Sequence, residues 1–172
     1  MRVRLLLAAE SPPGLCESAA GALPPPFVVG EAVAGPDLER FRDRVRTQVD
    51  ALAALESIPL AEPGWTNVVL TPADLFVSAL THVFGLSHLG GRRSVLSWAR
   101  LKPEADEAVA GITLVRRLSV EMTHELGHSL GLVHCQRADC PMHRSLWPEA
   151  IDLKGTAFCD ACREELRRLA GE

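Results

Sequence analysis

The stretch HELGHSLGLVH, residues 124–134, constrains this chain more than any other part of it. His124 and His128 stand four residues apart, so an α-helix brings both imidazoles to one face, about one turn apart. Glu125 projects between them, offset around the helix, where it can reach a metal-bound water without ligating the metal. Gly131 falls where the helix must stop, because glycine takes the left-handed conformation that ends a helix and turns the chain. That turn returns His134 to a third vertex of a tetrahedron. Three protein ligands with the fourth position left to water is the pattern of a catalytic zinc site, not a structural one. The plain alternative is an amphipathic helix with surface histidines. A glycine and a third histidine at fixed offsets argue against it.

The second constraint begins at the next residue. Cys135 and Cys140 form a C-x4-C, and Cys159 and Cys162 form a C-x2-C. Short loops deliver thiolates in pairs to a tetrahedral zinc, with bonds of about 2.3 Å. Two disulfides are the other reading, but they need an oxidising compartment for which nothing else in the chain argues. His134 and Cys135 are neighbours, and neighbouring side chains in extended chain point apart. They are therefore expected to serve different metals, giving two zinc ions per chain: one catalytic, on His124, His128 and His134, and one structural, on the four cysteines. Cys16 is left over in a Ser/Pro/Gly stretch and reads as a bland free thiol.

Downstream the chain runs PMHRSLWPEAIDLKGTAFCDAC. HExxHxxGxxH followed by Cys, C-x-M and C-x2-C resembles the archaemetzincin family of the metzincin metalloproteases. The outer segments with Arg46 and Gln48, VFGLSHL, and the D-x-K before Phe158 resemble it more loosely. The resemblance implies that Met142 forms a tight turn beneath the catalytic zinc. It also implies a structural zinc on Cys135, Cys140, Cys159 and Cys162. The interval from Met142 to Cys159 is read as one residue shorter than the family's, which bears on loop length and not on the ligands. The activity implied is peptide-bond hydrolysis. Zinc would activate a water, and Glu125, as general base, would accept its proton and pass it to the leaving amine.

A chain of 172 residues, 47% hydrophobic, can bury one good core and normally forms one domain. A single catalytic domain over 1–172 is expected, with an N-terminal part to about 130 and a zinc-bound C-terminal subdomain over 131–172. The net charge of −4 argues against a nucleic-acid partner held by bulk electrostatics. No run approaches the roughly eighteen apolar residues of a membrane helix. MRVRLLLAAE has too short an apolar run for a signal peptide and reads as a first strand. A cytoplasmic, monomeric protein with reduced cysteines is the resulting expectation.

Along the chain, 2–8, 27–33, 67–71 and 93–101 read as strands and 11–26 as a loop. Asp37 and the spacing of Leu38, Phe41, Val45, Val49, Leu52 and Leu55 predict a helix over 37–57, with RFRDRVR on its solvated face. Residues 72–89 carry no clear period; either His82 or His88 could line a cleft. Gly90-Gly91 marks a hairpin turn. The motif helix is expected from Thr113 to Leu130, and a last helix over 160–170 after short loops. The fold class is α/β (α+β): a mixed, twisted sheet backed by helices, metzincin-like, with the small zinc-organised C-terminal subdomain across a cleft. The family resemblance places an antiparallel edge strand just before the motif helix, matched by 94–100, where a substrate peptide would add as an extended strand. The pocket wall beyond Met142 is expected to include Trp147 and Pro148. Two other classes of function are open. One is a zinc-dependent peptide- or protein-binding module with little or no turnover. The other is a zinc-ribbon interaction protein, which leaves the histidine site unexplained.

Overall fold

The structure is a computed structural model and describes residues 1–8, 10–104 and 106–171. Strand β1 (Arg2–Leu7) is followed by helix α1 (Pro13–Gly21) and strand β2 (Val28–Ala34). A two-residue strand β3 (Val49–Asp50) leads into helix α2 (Ala51–Ser57), then strand β4 (Trp65–Thr71). Three short strands follow: β5 (Leu75–Val77), β6 (Leu80–Val83) and β7 (Gly85–Ser87). Strand β8 (Arg93–Ser97) precedes the long helix α3 (Glu107–Ser129), and helices α4 (Pro148–Asp152) and α5 (Asp160–Ala170) complete the chain.

The main sheet has the order β2-β1-β4-β8-β7. Its first four strands are parallel, and β7 runs antiparallel to β8. Strands buried on both faces read as continuous apolar runs, which is why LLL and VVL occur in β1 and β4. Alternate residues then feed two cores. Val3, Leu5, Val68, Leu70 and Leu96 meet α1 and α3; Leu6, Val69 and Val95 meet α2 and the small sheet β3-β5-β6. The expected mixed sheet backed by helices is thus found, with helices on both faces. Among the described residues no helix is long and apolar enough to cross a membrane.

Four expectations about the elements are corrected. The loop expected at 11–26 contains α1, whose paired prolines sit at the first turn, where a missing N–H costs nothing. Cys16, Ala19 and Ala20 lie on one helical face and are buried in the core. Cys16 is therefore core packing, and its burial pushes the thiol pKa up to about 11.

The helix expected over 37–57 is broken. Asp37 accepts from the Glu39 amide and starts only a 3₁₀ turn, Glu39–Phe41. The Asp43 carboxylate takes the Val45 and Arg46 amides, a local bond that competes with helix. Asp50 is the cap that succeeds, accepting from Leu52 and Ala53 at the start of α2. Two positions in the apparent apolar stripe, Val45 and Leu52, are 93% and 51% exposed. Arg40, Arg44 and Arg46 are exposed, as a solvated stretch should be.

The strand over 94–100 is not an edge. β8 ends at Ser97 and is enclosed between β4 and β7. The antiparallel edge is β7, inside the stretch without a clear period, joined to β8 by the Gly90-Gly91 turn, where Gly90 has φ +66°. Finally, α3 starts six residues before Thr113, capped by Asp106, which accepts from the Val109 amide. Its first turns expose Val109 and Ile112, so burial periodicity does not mark them.

Candidate functional site

Helix α3 carries Leu118, Met122 and Leu126 into the core and turns Glu121, His124, Glu125 and His128 toward a cavity of about 600 Å³. Its end is a Schellman turn. Leu132 N–H bonds the Gly127 carbonyl, Gly131 N–H bonds the His128 carbonyl, and Gly131 has φ +99°. A side chain there would be strained and would crowd Leu169. The reversal brings His134 beside the two helix histidines, with ring centroids 5.3 Å from His124 and 5.0 Å from His128.

Hydrogen bonds orient the first two rings. His124 Nδ1 lies 2.7 Å from the Pro141 carbonyl and His128 Nδ1 2.8 Å from the Leu132 carbonyl. A carbonyl only accepts, so each Nδ1 carries the proton and each Nε2 keeps a lone pair. Those two Nε2 atoms are 3.1 Å apart. Two lone pairs facing each other at that distance call for a cation between them. One ligand atom from each of the three histidines lies within 4.8 Å of the others, so the cluster can hold a metal. Burial, foremost, keeps His124 well below the ordinary histidine pKa, and it also lowers His128 and His134. All three are neutral ligands near pH 7, which suits zinc.

Glu125 is buried beside them. Ser87 on β7 donates its hydroxyl to Oε2 at 2.6 Å. Gly85, two residues earlier on the same strand face, leaves room for the carboxylate: a Cβ there would lie 2.7 Å from Glu125 Oε1. Burial raises the Glu125 pKa to about 8, against the lowering effect of the Ser87 bond. Met142 is buried under α3, and a Cβ on Gly127 would collide with its sulfur. The glycine inside HELGH is thus where the helix lets Met142 approach.

The four cysteines also converge. Cys135 and Cys159 sulfurs are 3.8 Å apart, as are Cys140 and Cys162, and all four lie within 4.8 Å. That separation is far longer than a disulfide. It equals the edge of a tetrahedron with bonds of about 2.3 Å to a central zinc, about 3.8 Å. Cys135 N–H bonds the Met142 carbonyl, which ties this cluster to the turn under the histidines.

Other expectations divide. His82 lines the cavity, while His88 does not figure in its wall. Trp147 and Pro148 do not line it either; Arg144, Ser145 and Leu146 form that side. Trp147 instead starts α4 and is half exposed. Residue spacing did not reveal Gly85, Ser87, Glu121 or Lys154. The only signals were GLS within VFGLSHL and the D-x-K, and neither has a period or ligand spacing that names a role.

Residues 29–168 match the sequence signature of Peptidase family M54. The archaemetzincin of Haloarcula marismortui is 37% identical over 124 residues, covering 68% of this chain and 72% of the relative. The chain belongs to the archaemetzincin family. It is accordingly a zinc metalloprotease, of a family of zinc metallopeptidases. Solved archaemetzincins share its architecture. That of Archaeoglobus fulgidus, crystallised with malonate, superposes with a TM-score of 0.82 at 28% identity, covering 96% of this chain and 99% of its own. That of Methanopyrus kandleri gives 0.81 at 28% identity, covering 100% and 96%.

Proposed function

We propose that this archaemetzincin hydrolyses peptide bonds at the histidine cluster, with Glu125 as general base and a second, structural zinc on the cysteines. The observation that carries the reading is a buried carboxylate next to three neutral imidazoles in the wall of one cavity. Zinc held by His124, His128 and His134 supplies an activated water and a Lewis acid for the scissile carbonyl. Glu125 takes the proton of the attacking water and passes it to the leaving amine. Ser87 holds one carboxylate oxygen, leaving the other for that transfer. Met142 packs against Gly127, between the two helix histidines in the chain, and would brace that turn of the helix. Residues 131–172 then act as a zinc-organised subdomain, and four reduced cysteines suit the cytoplasm.

The test is incubation of zinc-loaded protein with a diverse peptide library, read by mass spectrometry. New termini that a chelator suppresses support hydrolysis. Capture of peptides with no new termini would favour the binding module instead. Metal count is a separate prediction: demetallated, reconstituted protein should take up two zinc ions per chain in elemental analysis. Saturation at one would remove the two-site reading.

The edge strand suggests how substrate lies. β7 pairs with β8 through Gly85, Leu86 and Ser87, and the same three residues line the cavity. Its outer backbone groups can accept a peptide as one more strand. Methylating single backbone nitrogens of a substrate should therefore raise KM at alternate positions. About 5-fold per lost bond is expected, since a hydrogen bond contributes about 1 kcal/mol. Equal tolerance along the peptide would argue against strand addition.

A further inference from the structure

Lys154 is a fully buried lysine, 2% exposed, in the turn after α4. Its Nζ lies 2.6 Å from the His143 carbonyl, 3.2 Å from the Pro141 carbonyl and 3.5 Å from Glu121 Oε1. An ammonium has three donors, and three acceptors surround this one. Burying a charge is costly unless it is paired and hydrogen-bonded, and an apolar side chain of similar size would fill the space at lower cost. The acceptors indicate what the charge is for. The two carbonyls bracket Met142. The Pro141 carbonyl is also the acceptor for His124 Nδ1 at 2.7 Å. Glu121 lies one turn before His124 on α3, so the pair ties the Met142 turn to the helix beneath which it sits. Lys154 is itself anchored: its carbonyl accepts from Arg116, and Asp152 two residues earlier is paired with Arg117.

We propose that Lys154 is a positioning residue for the histidine metal site: its ammonium holds the carbonyls on either side of Met142, and thereby aims the His124 imidazole at the metal. The inference rests on the reading of His124 as a metal ligand. It differs from simple core packing in one consequence. Removing the ammonium should change the metal site even where the fold is retained, because the Pro141 carbonyl would lose the bond that fixes it. Partners of this kind behind a ligand typically alter metal affinity 10–100-fold.

Two variants separate the effects. Lys154→Met leaves Glu121 buried without its cation and is expected to lower thermal stability as well as metal affinity. Glu121→Gln with Lys154→Met removes both charges, and should recover most of the stability while keeping the metal defect. For each, zinc affinity is measured by chelator competition, with cysteine-bound zinc scored separately. The His124 Nδ1–H resonance of the zinc-loaded protein is followed by NMR. The expected result is a histidine site weakened about 10–100-fold in both variants, cysteine-bound zinc retained, and a displaced, faster-exchanging Nδ1–H signal. Wild-type affinity and an unmoved resonance in the double variant would overturn the proposal. His124→Ala is the control: if it too retained the histidine-site zinc, the ligand reading itself would have failed.

Discussion

Glu125→Ala is expected to reduce peptide hydrolysis about 10²–10⁴-fold, the usual contribution of a positioned acid–base group, while both metals stay bound. The carboxylate lies beside the histidine cluster but is held by Ser87, and its removal leaves His124 and His128 with their carbonyl partners intact. His128→Ala should behave differently: it removes one of three ligands, so metal and activity are lost together. Turnover on a peptide found in the library, set beside zinc content for each variant, separates the two outcomes. Near wild-type turnover in Glu125→Ala would mean that another group moves the proton. Loss of zinc from it would mean that the carboxylate helps to hold the site together.

Cys159→Ser is expected to have the largest structural effect. Helix α5 has a strongly polar sequence and buries only Cys162 among its described residues. Its attachment therefore rests on the sulfur cluster, on the half-buried Leu166, and on Phe158 just before it, which packs edge-on against Phe27 with ring centroids 5.9 Å apart. Structural zinc sites carry apparent binding energies of about 10–16 kcal/mol, which becomes folding energy for the segment they close. With one thiolate lost, amides of α5 and of the Cys135–Cys140 loop should exchange at least about 10-fold faster. Ile151, Met142 and Phe158 belong to the main core, so the part nearest α3 should loosen less. Because Cys135 N–H bonds the Met142 carbonyl, the histidine-site metal should also weaken. Replacing all three histidines should not loosen α5 to the same degree. Unchanged protection of α5 in Cys159→Ser would show that side-chain packing, and not zinc, organises this segment.

Much of the site was legible because its geometry is local. A helix with residues at i and i+4 places His124 and His128 together wherever it packs, and a glycine at 131 ends it in the same way in any setting. The cysteine pairs are local too, and 67–71 and 160–170 show their character in apolar runs or polar helical composition. The resemblance added Met142, which no spacing rule singles out.

What only tertiary structure decided were the matters of partner choice. Whether 94–100 forms an edge depends on which strand lies beyond it, and three residues of β7, too few to show a period, take that place. The 37–57 stretch has a helical stripe, but Asp43 and Asp50 satisfy backbone amides locally, and the chain uses Val49 as a strand instead. Helix α1 is read correctly only once a core exists to receive Cys16, Ala19 and Ala20. Gly85 and Ser87 meet Glu125 across 38 to 40 positions of chain, and Lys154 reaches Glu121 across 33. Spacing rules speak of neighbours within a turn or a hairpin. Contacts between elements arise from how the elements pack, and that is where the carboxylate's cradle and the buried lysine come from.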